Sequence, residues 1–327
     1  MARRRPDESD VRIRPSRSNR PRSKDRPTYS DATSAKVLTV DRGRTLCRLV
    51  DGTLVSAMKA RELGKNAVVV GDEVGLVGDT SGKEGTLARI VSVKQRRNSL
   101  SRTVDDVGAF EKTIAANIDQ MLIVAASANP EPRHGFIDRC LAVAYDQGIV
   151  PIIVMTKRDL ADPTEFLKIY DALSVKRFVI QRGDDLEDLL NQISDRDSVL
   201  IGHSGVGKST LVNALLGSNN RATGDVNDTT GRGRHTSSSA IAFDIPNRNG
   251  SIIDTPGVRS FGLEHIDRSR VISSFSELAE AIATCPKNCS HDEQRCGLND
   301  YELAHPDAQQ RIAGLRRLLN TMSQPIT

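Results

Sequence analysis

Gly202-His203-Ser204-Gly205-Val206-Gly207-Lys208-Ser209 matches the pattern Gly-x4-Gly-Lys-Ser, with the apolar run Ser198 to Ile201 before it and the helix-spaced run Ser209 to Leu216 after it. A glycine-rich turn between a strand and a helix lets successive backbone N–H groups curl around a phosphate chain. No other feature constrains the fold as tightly. The motif works only where a parallel strand delivers the turn to the carboxyl edge of a sheet, which demands an α/β layer. Its candidate phosphate contacts are Gly202, His203, Ser204, Gly205, Val206, Gly207, Lys208, Ser209 and Thr210. Lys208 is a catalytic candidate, because its ammonium can reach the β- and γ-phosphates, and the Ser209 hydroxyl can ligate Mg²⁺.

Two further motifs belong with this one. Ile252-Ile253-Asp254-Thr255-Pro256-Gly257 is a hydrophobic strand that delivers Asp254 to the same edge, where a carboxylate can hold a Mg²⁺ shell and the Gly257 amide can touch a γ-phosphate. Thr156-Lys157-Arg158-Asp159 follows the apolar run Ile149 to Met155. A carboxylate such as Asp159 accepts from the ring N–H and exocyclic amine of guanine, a donor pair that adenine lacks. The Lys157 stem can lie across the base, and Thr156 completes the motif. These features select GTP over ATP. Along the chain the order is base reader, phosphate loop, Asp-x-Pro-Gly, whereas an ordinary GTPase runs phosphate loop first and base reader last.

The surrounding pattern supplies the layers. Val37 to Val40, Thr45 to Leu49, Val68 to Val70, Glu73 to Val77 and Ala88 to Val91 are β-rich runs separated by Gly-containing turns. Five short strands in so few residues point to a small all-β barrel, with the OB-fold as the leading candidate. Lys94, Arg96, Arg97 and Arg102 read as a basic exit from it, or a solvated linker. From Ile118 to Asp254, apolar strands alternate with helical patterns, as in a doubly wound parallel sheet. Past Phe261 the chain is polar and helical in pattern. The expected architecture is therefore multidomain: a tail over 1–34, an OB-fold-like domain over 35–98, a circularly permuted α/β P-loop GTPase over 99–260, and a small, mostly helical zinc-binding domain over 261–327.

That last domain takes its name from Cys285, Cys289, His291 and Cys296, three thiolates and an imidazole within a dozen residues. A Cys₃His set suits one structural Zn²⁺ and leaves no open position for chemistry. His305 is the fallback ligand. Ile312, Leu315, Leu318 and Leu319 have the spacing of a packing face, and the isolated Cys47 and Cys140 read as small core residues.

Composition narrows what remains. Residues 1–30 hold ten Lys/Arg against four Asp/Glu, although the whole chain carries a formal net charge of only +4. An Arg-, Pro- and Ser-rich block of this kind buries too little to fold alone, and is expected to be disordered. It reads equally as an arm for nucleic-acid phosphates or as a solubilising tail. No apolar run approaches the ~20 residues of a membrane span, and the N-terminus lacks the apolar core of a secretory signal. A cytoplasmic protein without membrane contact is expected.

The permuted motif order, the strand-rich region before it, Gly231-Arg232-Gly233-Arg234-His235-Thr236 and the cysteine cluster after it resemble the RsgA (YjeQ/YloQ) family of circularly permuted GTPases over about residues 35 to 320. The resemblance implies an OB-fold, a permuted GTPase and a zinc domain. It also implies GTP hydrolysis to GDP, stimulated by the small ribosomal subunit during late maturation, with that subunit and its 16S rRNA as partners of a monomeric protein. The polar segment Gly217 to Ser239 then reads as a switch, with Thr236 or Ser237 as a Mg²⁺ ligand. Val258 follows the Asp-x-Pro-Gly motif and cannot orient a water, so by resemblance His235 takes that catalytic role. The chain departs from the family at Thr156, where Asn is usual, and at Gln181-Arg182-Gly183-Asp184, which lacks a Ser-Ala-type guanine loop. It departs also at Ser237, and in two cysteine-cluster gaps that are one residue shorter. Two other functions compete: an RNA-binding scaffold that uses GTP as a structural switch without catalysis of its own, and a P-loop ATPase, which Asp159 disfavours.

Overall fold

The computed structural model describes residues 29–41, 43–64, 68–103, 111–217, 240–255, 263 and 266–323. The expected basic tail falls almost wholly outside them.

A closed barrel comes first, built from β1 (Thr33–Asp41), β2 (Arg44–Leu49), β3 (Leu54–Lys59), β4 (Glu73–Gly78) and β5 (Ala88–Val93). The strand order is β1-β2-β3-β5-β4, and β4 pairs back onto β1, so the five strands form an OB-like barrel with no open edge. Alternation along the strands turns Val37, Cys47, Val55, Ala57, Val74 and Ile90 inward. Val68 to Val70, expected as a strand of the barrel, is instead an irregular segment with one bridge from Val70 to Ala115, and the Asp72 carboxylate accepts from the Val69 N–H at 2.8 Å. Its place in the barrel is taken by β3, whose Ser, Ala and Lys dilute the β signal.

The basic run after the barrel is not a solvated linker. Arg96 forks onto Asp72, with Nε at 2.7 Å and Nη2 at 2.9 Å, and the Asp72 side chain is wholly buried. Arg97 pairs with Asp119 at 2.9 Å, and Lys94 with Glu73 at 2.9 Å. A hairpin of β6 (Ser99–Thr103) and β7 (Glu111–Ala116) follows. The Ala116 N–H donates to the Val70 carbonyl, and the Asn117 amide donates to the Gly71 carbonyl. Gly71 has φ +86°, and a Cβ there would stand 2.1 Å from the Ala116 oxygen. Only glycine fits this crossing.

The α/β layer comprises β8 (Gln120–Ala126), α1 (His134–Asp146), β9 (Val150–Thr156), α2 (Thr164–Leu167) with the tighter 3₁₀ turn Lys168–Leu173, β10 (Lys176–Val179), α3 (Glu187–Ile193), β11 (Asp197–Ile201), α4 (Lys208–Leu216), β12 (Ile241–Asp244) and β13 (Ser251–Asp254). The strand order is β10-β9-β8-β11-β13-β12, parallel throughout except for β12. β8 is buried along its whole length, as its unbroken apolar run requires between two helical layers. β12 also pairs with β1 of the barrel, so eleven strands make one continuous sheet.

The chain ends in α5 (Arg268–Ser273), α6 (Ala279–Ala283), α7 (Gly297–Ala304) and α8 (Gln309–Met322). Ile312, Leu315, Leu318 and Leu319 of α8 are buried in the cluster that includes α1 and the turn Lys168–Leu173. Each such side chain contributes ~1.5–3 kcal/mol. Arg317 reaches the buried Asp138 of α1 at 3.2 Å and lies over the Tyr170 ring. Among the described residues no helix is long and apolar enough to cross a membrane.

The Asp72–Arg96 pair joins the barrel to the segment entering the α/β layer. Asp72→Ala leaves the Val69 N–H and a half-buried guanidinium without their carboxylate, at a cost of about 3–5 kcal/mol. Urea denaturation is expected to show a correspondingly lower midpoint for the transition that unfolds the barrel.

Candidate functional site

The phosphate loop lies where the sequence predicts it, between β11 and α4. Gly202 is buried, and a Cβ on it would come 2.3 Å from the Val124 oxygen, so the loop must leave the sheet through a glycine. Gly205 and Gly207 have φ of +80° and +96°. These left-handed residues fold the loop back so that its amides converge. The Lys208 ammonium donates to the carbonyls of Gly202 and His203, the latter at 2.9 Å. Ser204, Ser209 and Thr210 are exposed at the mouth, and Val206 is buried beneath it.

Asp254 ends β13 opposite Leu200 of β11, which brings its carboxylate beside Lys208. Burial pushes the Asp254 carboxyl up, and the Lys208 charge draws it partly back. Burial likewise lowers Lys208, and Asp254 opposes that shift. A half-buried cation and anion at one sheet edge are arranged for a phosphate and a divalent metal, which satisfy both. The buried Thr255 hydroxyl fixes this corner by donating to the Leu200 carbonyl at 2.7 Å.

Thr156 ends β9 and is buried, with its hydroxyl 2.5 Å from the Val206 carbonyl and 3.3 Å from that of Ala125. A hydroxyl has one proton, so the shorter contact is the bond. Thr156 thus clamps the candidate base-reading turn onto the candidate phosphate loop. Lys157, at φ +57°, donates to the Asn129 carbonyl, and Asp159 stands exposed beside it. Sequence reasoning missed the role of Arg158. It pairs with Asp184 at 2.9 Å, while the other Asp184 oxygen accepts from the Gln181 N–H at 3.0 Å. The loop Gln181 to Asp184, unrecognisable by composition, is therefore tied to the base-reading turn. Phe136 against the His203 ring, with centroids 4.2 Å apart, is a second missed contact. His235, Thr236 and Gly257, together with Ser237 and Val258, lie outside the described residues.

The cysteine cluster converges as the spacing predicts. One ligand atom from each of Cys285, Cys289, His291 and Cys296 lies within 4.8 Å of every other. His291 Nδ1 is 3.6 Å from the Cys285 sulfur and 3.9 Å from that of Cys296, and the two sulfurs are 3.8 Å apart. Ligands about 2.0–2.3 Å from a tetrahedral ion would be spaced at roughly these distances. The group therefore fits a metal ion. Burial raises the thiols of Cys285 and Cys289, so binding a cation would displace protons. His305, the fallback ligand, stacks on Tyr301 away from the cluster.

Comparison with known proteins agrees with this geometry. The family model described as RsgA GTPase matches residues 93–264. The Pseudomonas aeruginosa protein named small ribosomal subunit biogenesis GTPase RsgA is 35% identical over 268 residues, covering 79% of this chain and 77% of its own. The Haemophilus influenzae protein of the same name is 33% identical over 269 residues, with coverage of 79% and 77%. Among solved structures, YjeQ from Thermotoga maritima aligns with a TM-score of 0.65 at 23% identity over 90% of this chain and 99% of its own. YloQ, titled a circularly permuted GTPase, aligns with a TM-score of 0.64 at 19% identity over 91% and 98%.

The four-ligand cluster predicts about one equivalent of a divalent metal per chain, measured by elemental analysis of purified protein. Cys289→Ser is expected to lower that content and to speed proteolysis near residues 285–296. Full metal retention by the variant would remove Cys289 from the ligand set.

Proposed function

The chain belongs to the RsgA GTPase family, a family of GTP-hydrolysing enzymes, and on that premise we propose that it acts as a late-stage assembly factor of the small ribosomal subunit, which stimulates its hydrolysis of GTP. The observation that carries this reading is the meeting of Lys208, Asp254 and the Thr156-clamped base reader at one sheet edge, in permuted chain order. The loop Gly202 to Thr210 holds the phosphates, and Lys208 neutralises charge that builds on the transferring group. Ser209, Asp254 and Thr236 would hold Mg²⁺, which would supply further neutralisation of phosphate charge, and Gly257 would meet the γ-phosphate. Asp159 reads the guanine edge, with Lys157 along the base. His235 orients the attacking water, since Val258 is apolar.

The Cys₃His cluster holds one structural Zn²⁺, because three thiolates and an imidazole leave no open position for chemistry. The protein works as a cytoplasmic monomer against 16S rRNA. On the barrel, Arg44 of β2 and Arg89 of β5 stand on either side of Met58 of β3, a cationic row on an outer face that suits RNA phosphates.

Two experiments test this reading. In the first, Asp159→Asn trades an acceptor for an amide suited to xanthine, so GTP affinity is expected to fall and XTP affinity to rise. Unchanged GTP binding would exclude Asp159 as the base reader. The second is single-turnover hydrolysis at saturating small subunits, alongside an affinity titration. Lys208→Ala is expected to damage nucleotide binding itself. His235→Ala should keep GTP affinity within a few fold while stimulated turnover falls by about 10² or more, the pattern of a group acting mainly in the transition state. Wild-type turnover in His235→Ala would mean that another group, such as one on the ribosome, positions the water. Absence of any subunit stimulation in the wild-type protein would leave an RNA-binding scaffold as the better reading.

A further inference from the structure

β1 serves two structures at once. It is a stave of the barrel, yet its register against β2 shifts between Val37 and Thr39, so Leu38 is an extra residue at a β-bulge. The bulge turns Leu38 out of the barrel. Val37 stays in the barrel core, whereas Leu38 is buried in the other cluster, with Ala240, Ala242 and Ile253. Beyond the bulge, Thr39 stands opposite Ile241 of β12, Ile241 opposite Asp254 of β13, and Asp254 opposite Leu200 of β11. One row of facing residues thus runs from the barrel to the carboxylate beside Lys208 and on to the phosphate-loop strand. At about 4.8 Å per strand, Thr39 and Asp254 are roughly 10 Å apart.

The β1–β12 junction is narrow. Among the described residues it consists of the single facing pair Thr39–Ile241, whereas β12 and β13 share four. A second tie lies beside it: Arg48 of β2, half-buried, pairs with the carboxylate of Asp244 at the end of β12. β12 therefore has one neighbour that carries Asp254 and another that belongs to the barrel. A junction this small can change its set without unfolding either side.

We propose that Arg48 and Asp244 are positioning residues for GTP hydrolysis: they hold β12 to the barrel so that a partner seated on the barrel sets the placement of Asp254 through the row Thr39–Ile241–Asp254. The inference rests on the reading above that the small subunit stimulates turnover. It also has a consequence that needs no subunit. Asp254 and β1 belong to one row of paired residues, so a nucleotide that restrains Asp254 must be felt in β1.

The test compares wild-type protein with Arg48→Asp, Asp244→Arg and the double charge reversal Arg48→Asp/Asp244→Arg. In the partner-free arm, hydrogen exchange is measured on the full chain with and without a non-hydrolysable GTP analogue. The analogue should slow exchange of the β1 amides near residues 38–40 in wild-type protein, leave them unchanged in each single variant, and slow them again in the double variant. In the second arm, each single variant should keep its thermal midpoint, GTP affinity, unstimulated turnover and subunit affinity within about two-fold of wild type or two degrees. Turnover at saturating subunits should drop about five-fold or more, and the double variant should recover it.

Nucleotide-independent exchange of β1 in wild-type protein overturns the proposal whether or not subunits stimulate the enzyme. So does wild-type stimulation of both single variants. Loss of subunit affinity by Arg48→Asp that the double variant fails to restore would make Arg48 a direct contact with the partner, which also overturns it. An unstimulated wild-type enzyme whose β1 still responds to nucleotide would instead locate the failure in the reading of the partner.

Discussion

The site depends on one buried hydroxyl. Thr156 donates to the Val206 carbonyl inside the loop between β11 and α4, and through that bond the turn proposed to read the base is fixed relative to the loop proposed to hold the phosphates. The two segments are 50 residues apart in the chain, and the sheet alone would only bring their strands to the same edge. Placement of side chains to a fraction of an ångström needs a direct tie, and a buried bond of this kind is costly to break because both groups would be left unsatisfied. Thr255 makes a matching bond from the other side, onto the Leu200 carbonyl just ahead of the loop. With β11 held on both flanks, Asp254, Lys208 and the base-reading turn share one frame.

That frame explains why the permuted chain order is tolerated. Strand pairing depends on which edges meet, not on the sequence in which the chain visits them. β8, β9 and β10 precede the phosphate-loop strand here, and their parallel ladder onto β11 is unaffected. What permutation changes is the position of the ends. The chain enters β8 from the barrel and leaves β13 toward the C-terminal helices, so both accessory regions attach to the sheet itself rather than to a distant terminus. The barrel also covers the β12 edge through β1, which removes one exposed strand edge from the molecule.

Much of this was legible in the residues. The central strands of the α/β layer, β8, β9 and β11, are apolar on both faces, a pattern with few alternatives, and the glycines of the phosphate loop leave little choice of backbone. The cysteine cluster was legible because its four ligands are close in the chain. The misses share a different cause. Val68 to Val70 has strand composition but is irregular, and the Val69 N–H donates to the Asp72 carboxylate, a contact made by one side chain three residues away. Lys94, Arg96 and Arg97 look like a solvated run, and only the fold reveals that each faces a carboxylate from another element. Arg158 and Asp184 form the same kind of pair. Periodicity reports which face of a segment is buried. It carries no information on which distant polar group will lie opposite, and that is what decides these elements.

The C-terminal region follows the same logic at a larger scale. α8 has two faces with different partners. Its apolar face, with Ile312, Leu315, Leu318 and Leu319, sits in the core shared with α1, where Gly314 permits an approach that a Cβ, 2.7 Å from the Leu173 side chain, would block. From its other side, Arg316 donates to the carbonyl of His291 at 2.8 Å, within the metal-binding cluster. Arg268 of α5 reaches the neighbouring Ser290 carbonyl. These carbonyls belong to a loop with little apolar content of its own, and His291 there takes a left-handed φ of +70°. A conformation of that sort persists only when its surroundings over-determine it. Arginine bonds from the helices supply one constraint, and ligation of an ion by the four converging side chains would supply a second. α8 is held by its own hydrophobic burial, whereas the loop between Cys285 and Cys296 rests on the arginine bonds and on the four-ligand group, so a metal ion held there would organise the loop upon a helix that the core already fixes.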